Sequence, residues 1–114
     1  MSDTENIPLH EQTCRAMNAE EPSLSPDVAD GMLQKLSGWS REDAVIHQTF
    51  TFKNYYETVS FVNAVAWIAN TQDHHPDIAF GYKTCTVRYT THSVGGLSEN
   101  DFICAARIDR LLTA

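Results

Sequence analysis

The 114-residue sequence predicts an α+β fold, a four-stranded antiparallel sheet with three helices packed on one face. Three observations predict it. Stretches with helical spacing of apolar residues occur near the start, the middle and the end of the chain. Between them lie stretches whose apolar residues alternate with period two. The resulting order, α-β-β-α-β-β-α, sets strands in pairs between helices, which favours antiparallel pairing. The length suits one domain with a real core.

Residues 1–24 are polar, with scattered Pro and acidic residues and no period. They read as a loosely packed N-terminal arm, and residues 25–114 as the single domain. In SLSPDVADGMLQKL, residues 23–36, Ser25 is a good N-cap and Pro26 suits the first helical position. Asp27 and Asp30 suit the positive end of the dipole. Val28, Met32 and Leu36 share one face, and Gly38 follows as the stop. A short strand around Trp39 is weakly signalled.

AVIHQTFTF, residues 44–52, alternates: Ala44, Ile46, Gln48, Phe50 and Phe52 share one face, and Val45, His47, Thr49 and Thr51 the other. NYYETVSFVNAVAWIAN, residues 54–70, is the longest helix. Tyr55, Val59, Val62, Ala66 and Ala69 form a stripe that Phe61, Val65 and Ile68 widen. So wide an apolar face predicts a second buried contact, between subunits, with Phe61 as an outward position.

That helix must end before Pro76. DIAFGY, residues 77–82, and TCTVRYTTH, residues 84–92, read as strands. Cys85, Val87, Tyr89 and Thr91 point one way; Thr84, Thr86, Arg88, Thr90 and His92 point the other. SVGGL is the turn. Ser98 opens the last helix, with Asp101 three residues on as a near capping box. Phe102, Ala105, Ala106, Ile108 and Leu112 give its apolar face.

Composition narrows the function. Eight basic residues stand against fifteen acidic ones, a net charge of −7. Phosphate neutralisation needs a basic patch, so nucleic acid and anionic membrane surfaces are disfavoured. No apolar run approaches the ~20 residues of a spanning helix. The N-terminus lacks the basic and apolar regions of a signal peptide, so the chain reads as cytoplasmic. Cys14, Cys85 and Cys104 have no close spacing, and their odd number argues against a disulfide framework. No C-x-x-C points to structural zinc.

The histidines carry the chemical signal. An imidazole, with an unperturbed pKa of ~6.5, can give and take protons near neutrality. His74 and His75 sit where the long helix exits, and His92 ends a strand. Asp73 and Asp101 lie near them in sequence and could fix a tautomer. His47 reads as a surface strand residue and His10 as an arm residue. Three readings fit: a solvated pair with an unrelated strand-end histidine, a metal site, or an acid–base set. Spacing alone favours the first. Adjacent histidines are poor chelating neighbours and no H-x-x-x-H is present, which disfavours the metal.

DHHPD at 73–77, a strand ending TTH at 90–92 and then SVGGLSENDF at 93–102 together resemble the pterin-4a-carbinolamine dehydratases. The signature of that family is His-His-Pro after the long helix, then a Thr-His strand end leading through Gly-Leu-Ser/Thr to an Asp heading the last helix. The resemblance runs from about Leu24 to Leu112. It takes in the Leu36-to-Trp39 stretch, the strand end at Phe50–Lys53, the Phe61-to-Ala66 helix and Tyr82. It implies loss of water from 4a-hydroxytetrahydrobiopterin to give quinonoid dihydrobiopterin, in recycling of the pterin used by aromatic amino-acid hydroxylases. It implies a pterin substrate, no metal and no organic cofactor. It also implies a homodimer joined through sheet edges, or a homotetramer joined again through the long helix.

Carried onto this chain, the resemblance makes His74 and His92 the acid–base pair, His75 the ligand-positioning residue and Asp101 the orienting carboxylate, with Asp73 and Asn70 beside the substrate. Two departures bear on that carry-over. Animal members have a Glu where this chain has Asn70, and an aromatic residue where it has Ile78. Bacterial members often carry a Cys-x-x-Cys near the start; here Cys14 is followed by Met17, so that pair is lost. The same fold also serves as a dimerisation cofactor or assembly factor, so a non-catalytic interaction protein is the alternative. The retained histidine set favours the enzyme.

Overall fold

A computed structural model of the chain describes residues 7–113. Three helices and four strands follow the expected order: α1 (Pro26–Leu33), β1 (Ser40–Glu42), β2 (Val45–Thr51), α2 (Tyr55–Gln72), β3 (Asp77–Phe80), β4 (Thr84–Tyr89) and α3 (Glu99–Leu111). Short 3-10 turns occupy Leu9–Glu11 and His92–Val94. The strands form one antiparallel sheet in the order β1-β2-β4-β3.

Strand alternation sorts the two faces of the sheet. Ile46 pairs with Tyr89, Phe50 with Cys85, and Ile78 with Val87. These residues meet the helices, and all but the half-buried Ile78 are buried. The opposite face is threonine-rich, and Thr49 and Thr86 hydrogen-bond across it at 2.8 Å. A fully buried aliphatic or aromatic side chain contributes ~1.5–3 kcal/mol, and the inward row of β2 and β4 shares one core with the buried faces of α2 and α3. Phe61 of α2 locks onto it, with ring centroids 4.6 Å from Phe50 and 5.0 Å from Phe52.

Two caps fall where the sequence places them, at Ser25 and Ser98, and Asn54 adds a third. Ser25 Oγ accepts from the Val28 N–H, Asn54 Oδ1 from the Glu57 N–H, and Ser98 and Asp101 complete a capping box. Gly38 adopts a left-handed φ of 83°, and a side chain there would collide with the Gln48 amide. Beyond it, Trp39 Nε1 and the Ser37 N–H both donate to the Asp109 carboxylate, at 2.8 and 3.0 Å. That pair of bonds ties the segment between α1 and β1 to α3.

Several expected faces differ. In α1 the helix ends at Leu33, short of Leu36, and Ala29 is buried while Val28 is exposed. In α2 the buried seam is Thr58, Phe61, Val65, Ile68 and Ala69, while Tyr55 is exposed. Phe61 therefore faces its own core rather than outward, and Tyr56 and Trp67 are the outward aromatics. The sequence stripe failed because α2 is apolar nearly all round, so periodicity could not choose its buried side. Leu112 lies past the end of α3 and is exposed.

The described part of the arm, residues 7–24, is anchored to the domain at several points, although most of its residues are exposed. Residues Asn100 through Ala106 of α3 are all buried. Seven consecutive helical residues cannot all face one sheet. The arm supplies the second cover. Leu9 is buried, and the Gln12 carbonyl accepts two bonds from the Arg107 guanidinium. Asn100 Oδ1 accepts from the Arg15 N–H at 3.1 Å while its Nδ2 donates to the Arg15 carbonyl at 2.7 Å. The Leu24 N–H donates to the Leu97 carbonyl.

Candidate active site

The site begins with the way α2 ends. Asp73 adopts a left-handed conformation (φ 50°, ψ 44°), and the N–H groups of Asp73 and His74 both return to the Ala69 carbonyl. This turn sends the His74 side chain inward. Pro76 then holds His75 extended, so the neighbouring side chain points away and is exposed. The two adjacent histidines end on opposite sides of the chain.

Inside, His74 Nε2 meets Asp101 Oδ1 at 2.6 Å. Asp101 is fully buried in the first turn of α3. Its Oδ2 accepts from the Ser98 N–H at 2.9 Å and from the Thr91 hydroxyl at 2.8 Å. Thr91 has a single hydroxyl proton, which goes to Asp101. The Ser98 hydroxyl, 2.8 Å from Thr91 Oγ1, must therefore donate to Thr91. A buried carboxylate costs several kcal/mol in lost hydration; these two bonds and the imidazole offset that cost.

The ionised Asp101 also sets the histidine tautomer. Nε2 carries a proton toward the carboxylate, which leaves Nδ1 as the atom that can exchange a proton with a ligand. Burial alone would lower the His74 pKa, but the hydrogen bond and the charge of Asp101 outweigh it, with Asp73 adding a little, and the net shift is upward. The ring plane is fixed by Tyr89, which stacks on it at 5.4 Å and 12°. The Tyr89 hydroxyl is buried without a nitrogen or oxygen partner, and burial pushes its pKa up, so it stays neutral.

His74 opens onto a cleft of about 240 Å³. Arg15, Ala16 and Met17 of the arm form one wall; Thr91 and Ser93 form another. Larger hollows, of about 540 Å³ between the arm and Lys35–Ser37 and about 530 Å³ beside α2, lack the His74–Asp101 pair. Chemistry rather than volume therefore picks out the smaller one.

The other expected site residues lie at the surface. His92 is exposed at the head of a 3-10 turn, between Thr91 and Ser93 of the cleft. The side chains of His75 and His92 make no hydrogen bond or ion pair to the described residues. Asp73 lines the cleft and Asn70 is exposed on the last turn of α2. Ile78 is half-buried against the core. His47 lies on the open sheet face, 3.8 Å from Glu42, and His10 is in the arm. Among the described residues no group of three or more His, Cys, Asp or Glu side chains is placed to hold a metal ion.

Sequence reasoning missed Thr91, Ser98, Tyr89 and the arm wall. Thr91 on the apolar side of the β4 pattern was the available signal, since a buried hydroxyl needs a partner. The apolar run Phe102–Ala106 likewise signals cover on two sides of α3.

The profile of the pterin 4 alpha carbinolamine dehydratases matches residues 22–111. The chain belongs to that family. Its matched region holds the His74–Asp101 pair, Thr91, Ser98 and Tyr89, whereas the arm wall at Arg15–Met17 lies before it. A Nitrosomonas eutropha protein provisionally named a pterin-4-alpha-carbinolamine dehydratase is 51% identical over 105 residues, covering 91% of this chain and 93% of the relative. A Nitrosospira multiformis protein with the same provisional name is 50% identical over 109 residues, covering 96% of each chain. Among solved structures, a transcriptional coactivator/pterin dehydratase from Brucella melitensis superposes with a TM-score of 0.76 at 27% identity, covering 80% of this chain and 99% of that one. A pterin dehydratase-like protein identified as a RuBisCO assembly factor in the alpha-carboxysome gives 0.57 at 25% identity, covering 68% and 93%. No helix among the described residues is long and apolar enough to cross a membrane.

Proposed function

We propose that this family member dehydrates 4a-hydroxytetrahydrobiopterin to quinonoid dihydrobiopterin, in pterin recycling, by histidine acid–base catalysis. The observation that carries the reading is the buried His74–Asp101 pair opening on a cleft. The C4a hydroxyl leaves well only when protonated, and N5 must lose its proton as the C=N bond forms. His74, whose pKa is raised by Asp101, is suited to be the imidazolium that protonates the departing hydroxyl through Nδ1. His92, at the cleft rim, takes the N5 proton. His75 positions the ring from the exposed side, with Asp73 and Asn70 near it.

The chain acts as a homodimer or homotetramer. Support comes from β3, an edge strand that ends in the exposed Phe80 and is followed by the exposed Tyr82, and from the outward Tyr56 and Trp67 of α2.

Stopped-flow loss of the 4a-hydroxypterin absorbance tests the chemistry. His74→Ala and His92→Ala should each slow turnover by at least ~10²-fold, as loss of a general acid or base does. Wild-type protein that does not accelerate the reaction, or two variants with near-normal rates, would refute it.

A further inference from the structure

Cys14 and Cys104 are 90 residues apart in sequence, yet their sulfurs lie 3.5 Å apart. They join the arm to α3 at a particular place. Cys14 immediately precedes Arg15–Met17, the arm wall of the cleft. Cys104 lies one turn beyond Asp101, which holds His74.

The arm sulfur is held in register from both sides. The Cys14 N–H donates to Gln72 Oε1 at 2.9 Å, and the next residue is gripped by the Asn100 amide. Cys14 is half-buried; Cys104 is fully buried behind it. A disulfide has an S–S length of ~2.05 Å, so the sulfurs need approach by only ~1.5 Å. Cys85, on β4, is buried and makes no such contact.

We propose that Cys14 and Cys104 are a redox-active dithiol which hydrogen peroxide converts into an intramolecular disulfide, fastening the arm wall of the cleft to α3. The reactivity is divided between the two thiols. The hydrogen bond from Cys104 holds the Cys14 thiol below its ordinary range; burial opposes this and the Arg107 charge assists it. The Cys104 thiol is pushed up by the same contact and by burial, so it keeps its proton. Cys14 is thus the nucleophile and the more accessible of the two.

In the first step the Cys14 thiolate attacks one peroxide oxygen and the O–O bond breaks. The sulfur is oxidised to a sulfenic acid, and the other oxygen leaves as water after taking a proton from solvent. In the second step Cys104 sulfur attacks the sulfenic sulfur. The S–S bond forms, the S–O bond breaks, and the hydroxide leaves as water with the Cys104 proton. Two thiols are oxidised by two electrons and one peroxide is reduced to two waters. A dithiol reductant reverses the product by exchange. Loop closure over 90 residues restricts the unfolded chain, so the oxidised form should also unfold at higher temperature.

None of this depends on pterin chemistry, and the test does not use it. Reduced full-length protein is treated with stoichiometric hydrogen peroxide, denatured, alkylated and weighed intact. The expected product has lost two hydrogen atoms and takes up one alkyl group, on Cys85. Its non-reducing peptide map links the Cys14 and Cys104 peptides, dithiothreitol restores three alkylatable thiols, and the thermal midpoint rises by several degrees. In Cys104→Ser, oxidation should stop at a sulfenic acid on Cys14 that dimedone traps. Wild-type protein that gains one or two oxygen atoms without linkage, or links only between chains, would overturn the proposal.

Discussion

His74 and His75 are neighbours in sequence and opposites in structure. His74 sits in the interior, joined to a carboxylate and stacked on Tyr89; His75, like His92, is exposed and makes no side-chain bond to the described residues. The difference arises from one left-handed residue and one proline, which send successive side chains to opposite sides. It teaches that a histidine motif is not one chemical unit. One member is built into the folding energy, and the others are exposed.

Removing the carboxylate is the strongest way to break that contrast. Asp101→Ala breaks the capping box, removes the acceptor of the Thr91 hydroxyl proton and leaves His74 without its partner. Breaking a buried pair in this way typically costs ~3–5 kcal/mol. Urea unfolding should show a loss of that order, and a variant as stable as the wild type would mean that the network contributes nothing net.

A subtler division is expected between the histidines themselves. His74→Ala leaves buried Asp101 Oδ1 without a donor and should lower stability by ~1–3 kcal/mol. His92→Ala touches an exposed side chain and should stay within ~0.5 kcal/mol. Equal effects in urea would erase the distinction. The pH dependence sharpens it. The folded His74 pKa is raised, so its contribution is fully present below the unfolded value of ~6.5 and is lost as pH rises through the folded value. Unfolding midpoints followed from pH 5 to 9 should show that loss in the wild type and not in His74→Asn.

The smallest effect belongs to the turn. Asp73→Gly relieves a left-handed residue that costs ~1 kcal/mol, offset in part by the freedom glycine brings to the unfolded chain. A gain of a few tenths of a kcal/mol in urea, with His74 still bonded to Asp101, is expected. A clear loss would show that the Asp73 side chain itself holds the turn.

Much of this was legible in the residues. Ser25-Pro26 and Ser98 with Asp101 announce helix starts because capping is a local bond between near neighbours. The alternation in β2 and β4 is legible because strand side chains obey a strict period. What escaped depends on tertiary choice. Nothing local tells Phe61 from Tyr55 when a helix is apolar on most sides. The packing of residues 7–24 was hidden because the arm has no period; its anchors are Gln72, Asn100 and Arg107, far away in sequence. In the site, Asp101 could be placed from the family resemblance, whereas Tyr89 and Thr91 take their roles only from the three-dimensional crossing of β4 and α3.

The way Asn100 grips the arm has a consequence for variation. Its amide reads the N–H and the C=O of Arg15, groups that every residue except proline carries in the same positions. The Arg15 side chain takes no part in that grip. The arm can therefore exchange side chains along the cleft while its path stays anchored, much as a tool holder keeps its grip when the bit is changed. Variation along the cleft wall has a route here that leaves the folded core untouched.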